Sequence, residues 1–297
     1  MRQKLFLIFM LVLFAQTAFP WGHLGHQTIV KVAEKHLTPQ AQEIIQNLLH
    51  HDLSDDCSWM DSHRTGEWAF TNHWHTLYFD KNLNYDPNPT LTINKKTGVT
   101  ENRGDALSSA NRAVYTLSNY KSLDDSTFMF NLRCLIHMIG DMHCPTHSLI
   151  PGRTKLHTNV HDGHEYYPVL GGSGKVKYRG KEFKSFHSVY DGMPNVLWPG
   201  KTADQVVEII DTKNKKEIKK IIGQKNMPQY NGCYDCTIPF YSWAHQCAET
   251  SMKIWDINPE IYPDLNPATA DLSRPIVEQQ LRNAGYRLAW ILNTILK

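Results

Sequence analysis

The sequence predicts a mainly α-helical chain folded as one domain with a small β-hairpin, and three observations predict it. Apolar residues recur at helical spacing in seven segments. Strand-like alternation is confined to two short runs, EYYPVL at 165–170 and KVKYR at 175–179, which read together as a hairpin. No internal repeat, low-complexity linker or sharp change of composition divides the 297 residues.

Taken in order, MRQKLFLIFMLVLFAQTA has a basic start at Arg2 and Lys4, an apolar core from Leu5 to Phe14, and the small residues Ala15, Thr17 and Ala18. That order describes a secretory signal peptide, and the apolar run is too short to span a bilayer. The expected division is therefore a leader at 1–20 and one domain at 21–297, in a protein that is secreted or periplasmic. Two cuts are open, after Ala18 and after Pro20. The first helix is HQTIVKVAEKHL, with Ile29, Val32, Ala33 and Leu37 on one face. Thr38-Pro39 then supplies an N-cap and a first-turn proline for QAQEIIQNLLH. Helical patterns follow in DALSSANRAVYTLSNY, STFMFNLRCLIHMIGDMH, ADQVVEIIDTKNKKEIKKII, YSWAHQCAETSMKIW and RPIVEQQLRNAGYRLAWILNTIL. Turn-rich stretches at 80–104 and 148–200 separate them.

Without Arg2 and Lys4 of the leader, acidic and basic side chains are equal in number. Such a chain has no polycationic surface with which to hold nucleic acid by phosphate neutralisation alone. An anionic substrate would need local positive charge, or charge brought by metal. The six cysteines, Cys57, Cys134, Cys144, Cys233, Cys236 and Cys247, belong to a chain bound for an oxidising compartment, so disulfides are the default reading. Cys233-x-x-Cys236 has no second pair at zinc-site spacing and is read as a disulfide before a metal or redox motif.

Sixteen histidines is a high count, and their placement carries more than their number. In IHMIGDMHCPTH, His137 and Asp141 lie four apart on one helical face, within reach of one ion. Pro145 ends that helix and His147 follows on the exit loop. FHSVYDG repeats the spacing with His187 and Asp191. SWMDSHR offers Asp61 with Arg64 one turn later, and NHWHTLYFD offers His73 or His75. Imidazole and carboxylate are ligands that zinc accepts at roughly 2.0 to 2.2 Å, whereas calcium takes mostly oxygen. On spacing alone, these pairs read equally as metal ligands or as ordinary ion-paired couples.

With Trp21 at the start, then His26, WMDSHR, HMIGDMHCPTH and FHSVYDG in this order, the chain resembles the zinc-dependent single-strand nucleases of the S1/P1 family. AGYRLAWILN resembles that family's last helix, so the resemblance runs from Trp21 to Lys297. It implies a helical domain of the phospholipase C/nuclease type with three Zn2+ at the base of a cleft. By resemblance, Asp61, His75, His137 and Asp141 hold the first zinc, and His147, His187 and Asp191 the second. His26, a bridging Asp141, and the α-amino nitrogen and carbonyl oxygen of Trp21 hold the third. Only a terminal Trp21 could form that chelate, because a free α-amine gives up its proton near neutral pH and an amide does not. The resemblance also implies in-line attack by a metal-activated water on single-stranded DNA or RNA, giving 5′-nucleotides, and 3′-nucleotidase activity. Arg64 would act on the transition state, and Asp61 would orient the water. The chain is expected to act as a monomer.

The family's Gly-Gly-Asn base-contacting motif has no clear counterpart here. The nearest strings are Gly171-Gly172-Ser173 and Asp162-Gly163-His164, in a loop that also carries His157 and His161. These histidines read as part of a solvated loop rather than a cleft rim. Tyr78 and Phe79 read as core before base platforms, and Asp80 is an open candidate for base reading. Two other functions stay in view: a zinc-dependent phospholipase C, and a non-catalytic zinc-binding exported protein.

Overall fold

The computed structural model describes residues 21–87, 91–93, 98, 100–150, 159–161, 164–166, 176–223, 239–258 and 265–297. The leader, Cys233, Cys236, His157 and the strings Asp162-Gly163 and Gly171-Gly172-Ser173 lie outside the described residues.

Eleven α-helices run through the described chain: α1 Gly22–Lys35, α2 Pro39–Leu49, α3 Trp59–Ser62, α4 Ala106–Leu117, α5 Asp125–His143, α6 Phe186–Asp191, α7 Met193–Leu197, α8 Ala203–Ile210, α9 Lys215–Ile222, α10 Pro239–Ile257 and α11 Thr269–Ile295. Local chemistry sets their ends. Thr38 caps α2 by accepting from Ala41 N, with proline in the first turn, as the sequence predicts. Asp105 and Ser108 form a reciprocal capping box on α4, and Asp124 accepts from Thr127 N at the start of α5.

Helix α5 is the centre of the molecule, buried without interruption from Cys134 to His143. It packs against α4, while α1 lies along α11. A Cβ on Gly285 of α11 would fall 2.5 Å from Val32 of α1, so only glycine lets these two backbones approach.

Helices α8 and α9 are two elements where the sequence pattern ran as one. The chain leaves helix at Asp211, and Asn214 starts a new one by accepting from Lys216 N and Glu217 N. The break has a tertiary use. Asp211 accepts from Tyr286 OH at 2.7 Å and lies 3.0 Å from His36 Nε2 and 3.2 Å from Lys35 Nζ, tying α8 to α1 and α11.

The strands are short. β1 (Leu77–Tyr78) pairs in parallel with β4 (Ser148–Leu149), while β2 (Leu91–Ile93) pairs antiparallel with β3 (Thr100–Asn102). The expected hairpin between EYYPVL and KVKYR is corrected. Residues 164–166 of the first run form β6 with β5 (Asn159–His161), and β7 (Val176–Tyr178) pairs with β8 (Lys181–Phe183). Each run found a nearer partner across its own turn, where loop closure costs least.

The disulfide expectation is also corrected for the described cysteines. Cys57, Cys134, Cys144 and Cys247 are buried free thiols. Burial pushes the Cys57 thiol up to about 12 and that of Cys247 to about 11, so they pack as small apolar groups. Among the described residues, no helix is long and apolar enough to cross a membrane.

Asp211 yields a stability prediction. Burial alone would raise its pKa, but hydrogen bonds from His36 and Tyr286 outweigh burial and hold the carboxyl below its ordinary value. A depressed folded-state pKa contributes stability above the unfolded carboxylate value and loses it as pH falls through the folded value. Asp211→Asn should therefore cost about 2 kcal/mol at neutral pH by urea unfolding. The gap from wild type should narrow below about pH 4. An equal gap at both pH values would refute this role.

Candidate metal centre

Six elements of the chain carry the histidines and aspartates of the centre. Helix α5 presents His137 and Asp141 four residues apart, and Pro145 then opens a single 3-10 turn, Pro145–His147, that swings His147 back beneath the helix end. Helix α6 presents His187 and Asp191 at the same spacing, its start fixed by a capping box between Ser185 and Ser188. Asp61 comes from α3, His26 from α1, and His75 from the end of the 3-10 segment Gly66–His75. The β1–β4 pair joins the backbone just after His75 to that just after His147, so both histidines are set by one ladder.

Asp141 is the hub. Its Oδ2 lies 2.7 Å from His75 Nδ1 and 3.3 Å from His137 Nε2, and its Oδ1 lies 3.2 Å from His26 Nε2 and 3.9 Å from His147 Nδ1. Asp61 Oδ1 is 3.7 Å from His137 Nε2 and accepts from Arg64 at 2.5 Å. A second focus forms beside it. His147 Nε2 lies 3.6 Å from Asp191 Oδ1 and 2.7 Å from His187 Nε2, while His187 Nδ1 is 3.1 Å from Asp191 Oδ2. All these side chains are buried except Arg64, whose side chain is 39% exposed, and His187, which sits nearer the surface.

Backbone carbonyls aim the imidazoles. His137 Nδ1 donates to Cys57 O at 2.8 Å and His147 Nδ1 donates to His75 O. A carbonyl can only accept, so each ring must carry a proton on Nδ1 and turn its Nε2 edge inward. His26 is seated by the absence of a side chain opposite: a Cβ on Gly140 of α5 would fall 2.5 Å from its Nδ1. The His26 and His137 rings stack at 4.1 Å.

Several buried atoms of this cluster have no hydrogen-bond partner: His26 Nε2, His75 Nε2, Asp61 Oδ2, Asp141 Oδ1 and Asp191 Oδ2. Orphaned buried acceptors are costly, and three buried carboxylates in one cluster compound the cost unless cations join them. The donor set of imidazole and carboxylate suits zinc. Three groups bring potential ligand atoms within 4.8 Å of one another: His26, Asp61 and His137; His75, His137 and Asp141; and Cys144, His147 and Asp191.

The proton affinities split accordingly. Burial opposes charge on His137, but Asp141 and Asp61 override it and raise the ring to about 9. Burial lowers His75 to about 4 and raises Asp191 to about 7. For Asp141, burial is outweighed by His137 and His147, which hold the carboxyl well below its ordinary value. Positive charge is thus drawn to the two imidazoles flanking Asp141.

The structure gathers His26, Asp61, His75, His137, Asp141, His147, His187 and Asp191 into this one cluster. Trp21, just before α1, has a fully buried side chain, and its carbonyl accepts from Gly25 N at 3.1 Å. His73 is exposed and lies 3.4 Å from Arg103, outside the cluster. Asp80 is engaged in its own turn, accepting from the backbone of Asn82 and Asn84. Phe79 is core at 2% exposure, and Tyr78 is half-buried. His161 and His164 are backbone register partners across the β5–β6 hairpin. Sequence reasoning passed over Cys144 as a neighbour of His147 and Asp191 because it stood among six cysteines read as disulfides; its signal was a position three residues before His147.

Comparison with known proteins finds nucleases and endonucleases among the relatives. Nuclease S1 of Aspergillus oryzae is 24% identical over 308 residues, covering 95% of this chain and 93% of that protein. Endonuclease 5 of Arabidopsis thaliana is 25% identical over 318 residues, covering 98% and 96%. Nuclease P1 of Penicillium citrinum is 29% identical over 171 residues, covering 51% and 60%. The S1/P1 Nuclease family model matches residues 21–297, the span that holds every residue of the centre, and the chain belongs to the S1/P1 nuclease family.

Proposed function

We propose that this protein is an exported zinc-dependent phosphodiesterase that hydrolyses single-stranded DNA or RNA to 5′-nucleotides, with 3′-nucleotidase activity at the same site. One observation carries the reading: four buried imidazoles, a fifth on the part-buried His187 and three buried carboxylates, with unpartnered donor atoms, lie directly beside the half-exposed Arg64.

In this reading the cluster would hold three zinc ions, and its imidazole and carboxylate donors suit that metal. Asp61, His75, His137 and Asp141 would hold one; His147, His187 and Asp191 a second; and His26, Asp141 and the main-chain nitrogen and oxygen of Trp21 a third. Zinc, when bound, supplies Lewis acidity and concentrated positive charge to a chain whose own charges nearly balance. The protein's part is positional. The Arg64 guanidinium, pinned by Asp61, keeps N–H groups toward solvent that match two phosphoryl oxygens and their transition-state charge. The segment that carries Asp61 and Arg64 also carries Trp59, Trp68 and Phe70. Trp68 stacks on Phe130 at 4.8 Å and Phe70 is 50% exposed. Aromatic faces of this kind receive unstacked bases, which favours single strands. Trp21 can donate its nitrogen only as a terminus, so this reading includes cleavage after Pro20; a family match that begins at Trp21 supports that cut.

Protein purified in its secreted form should begin at Trp21 and contain zinc. Chelation should abolish hydrolysis of single-stranded DNA, and zinc should restore it, with duplex DNA and phosphatidylcholine cleaved far more slowly. Full activity after thorough zinc removal, or a preference for phosphatidylcholine, would refute the proposal. Asp141→Ala should lower both zinc content and kcat, the latter by about 1,000-fold or more. Arg64→Ala should lower kcat by about 100-fold or more while leaving zinc content unchanged. Loss of zinc in that variant would make Arg64 a structural residue.

A further inference from the structure

Cys144 is the C-cap of α5, fully buried, and the backbone turns out of helix there because Pro145 follows. Its Sγ comes 3.9 Å from Asp191 Oδ1 and 3.5 Å from Thr146 Oγ1. Sγ, a His147 nitrogen and an Asp191 oxygen all lie within 4.8 Å of one another, and among the described residues no other cysteine belongs to such a group. Independently, Asp191 Oδ2 is buried with no hydrogen-bond partner. Ligands around one zinc, at roughly 2.0 to 2.3 Å from it, sit within about 4 Å of each other. The Cys144–Asp191 and His147–Asp191 separations of 3.9 and 3.6 Å are of that order, and His187 Nε2 lies 2.7 Å from His147 Nε2.

We infer that Cys144 is a thiolate ligand of the second metal position, completing a set with His147, His187 and Asp191. The inference rests on the metal-centre reading above and adds to it a sulfur donor. Loading exchanges the thiol proton for the metal, and the proton leaves to solvent. Thiolate and carboxylate together neutralise a divalent ion, so this position retains less charge than one held by imidazoles alone. Sulfur also makes it selective for zinc, cobalt and cadmium over magnesium and calcium.

The test is optical. The full-length secreted protein is stripped of zinc and reloaded with cobalt, its metal content is counted, and the near-ultraviolet thiolate-to-cobalt charge-transfer band is measured. Cys233→Ser/Cys236→Ser serves as the background, because the remaining cysteines other than Cys144 stand outside any ligand group. The band is expected there and in the Cys134→Ser variant. It should vanish in Cys144→Ser, with cobalt affinity at one position falling by about 10-fold or more. Bound cobalt without the band in the background protein would overturn the role of Cys144 and leave the metal centre standing. Failure to bind any cobalt would overturn both. Should Cys144→Ser not fold, the background spectrum alone decides.

Discussion

Asp141 is fully buried in the middle of the protein, and four imidazoles approach its two oxygens from four different parts of the chain. A carboxylate so far from water costs several kcal/mol unless positive charge surrounds it. Much of the fold can be read as the means of bringing that charge in: α1 for His26, the Gly66–His75 segment for His75, α5 itself for His137, and the turn after Pro145 for His147. The demand extends outward, because each imidazole needs its own support. His137 leans on the carbonyl of Cys57, and His147 on the carbonyl of His75.

Tight backbone approaches serve the same end. Gly140 leaves room for the His26 ring against α5, and Gly285 lets α1 settle onto α11, so α1 is held from both sides. The two-residue parallel ladder between β1 and β4 is too short to matter as a sheet. Its value is positional, since it locks the exits from His75 and His147 together. A centre made of residues spread from His26 to Asp191 is thereby supported by rigid elements rather than loops.

The same helix shows a buried cation managed without a carboxylate. Arg287 of α11 donates to His143 Nε2 at 2.7 Å and to Gln246, and its guanidinium lies over the Trp243 ring. Burial and Arg287 lower His143 to about 3, keeping it neutral with Nδ1 donating to Ile139 O. Two histidines six residues apart on α5 thus have opposite proton affinities, His137 beside carboxylates and His143 beside a guanidinium. Their environments, rather than their residue type, make one a metal-site group and the other a structural acceptor.

How much of this was legible varies with range. The long helices α1, α2, α4, α5, α10 and α11, the cap at Thr38 and the four-residue spacing of His137 with Asp141 and of His187 with Asp191 were determined by the sequence alone, because periodicity and capping act within a few residues. Its break at Asp211 was not, since that residue leaves the helix for partners on α1 and α11. Nor was the pairing of the short strands, where each run had more than one available partner. The choice of His75 over His73, the four thiols left unpaired, and the approach of Cys144 to Asp191 were decided only by tertiary structure. Each depends on distances between residues far apart in the chain, and packing around a buried charge sets those distances.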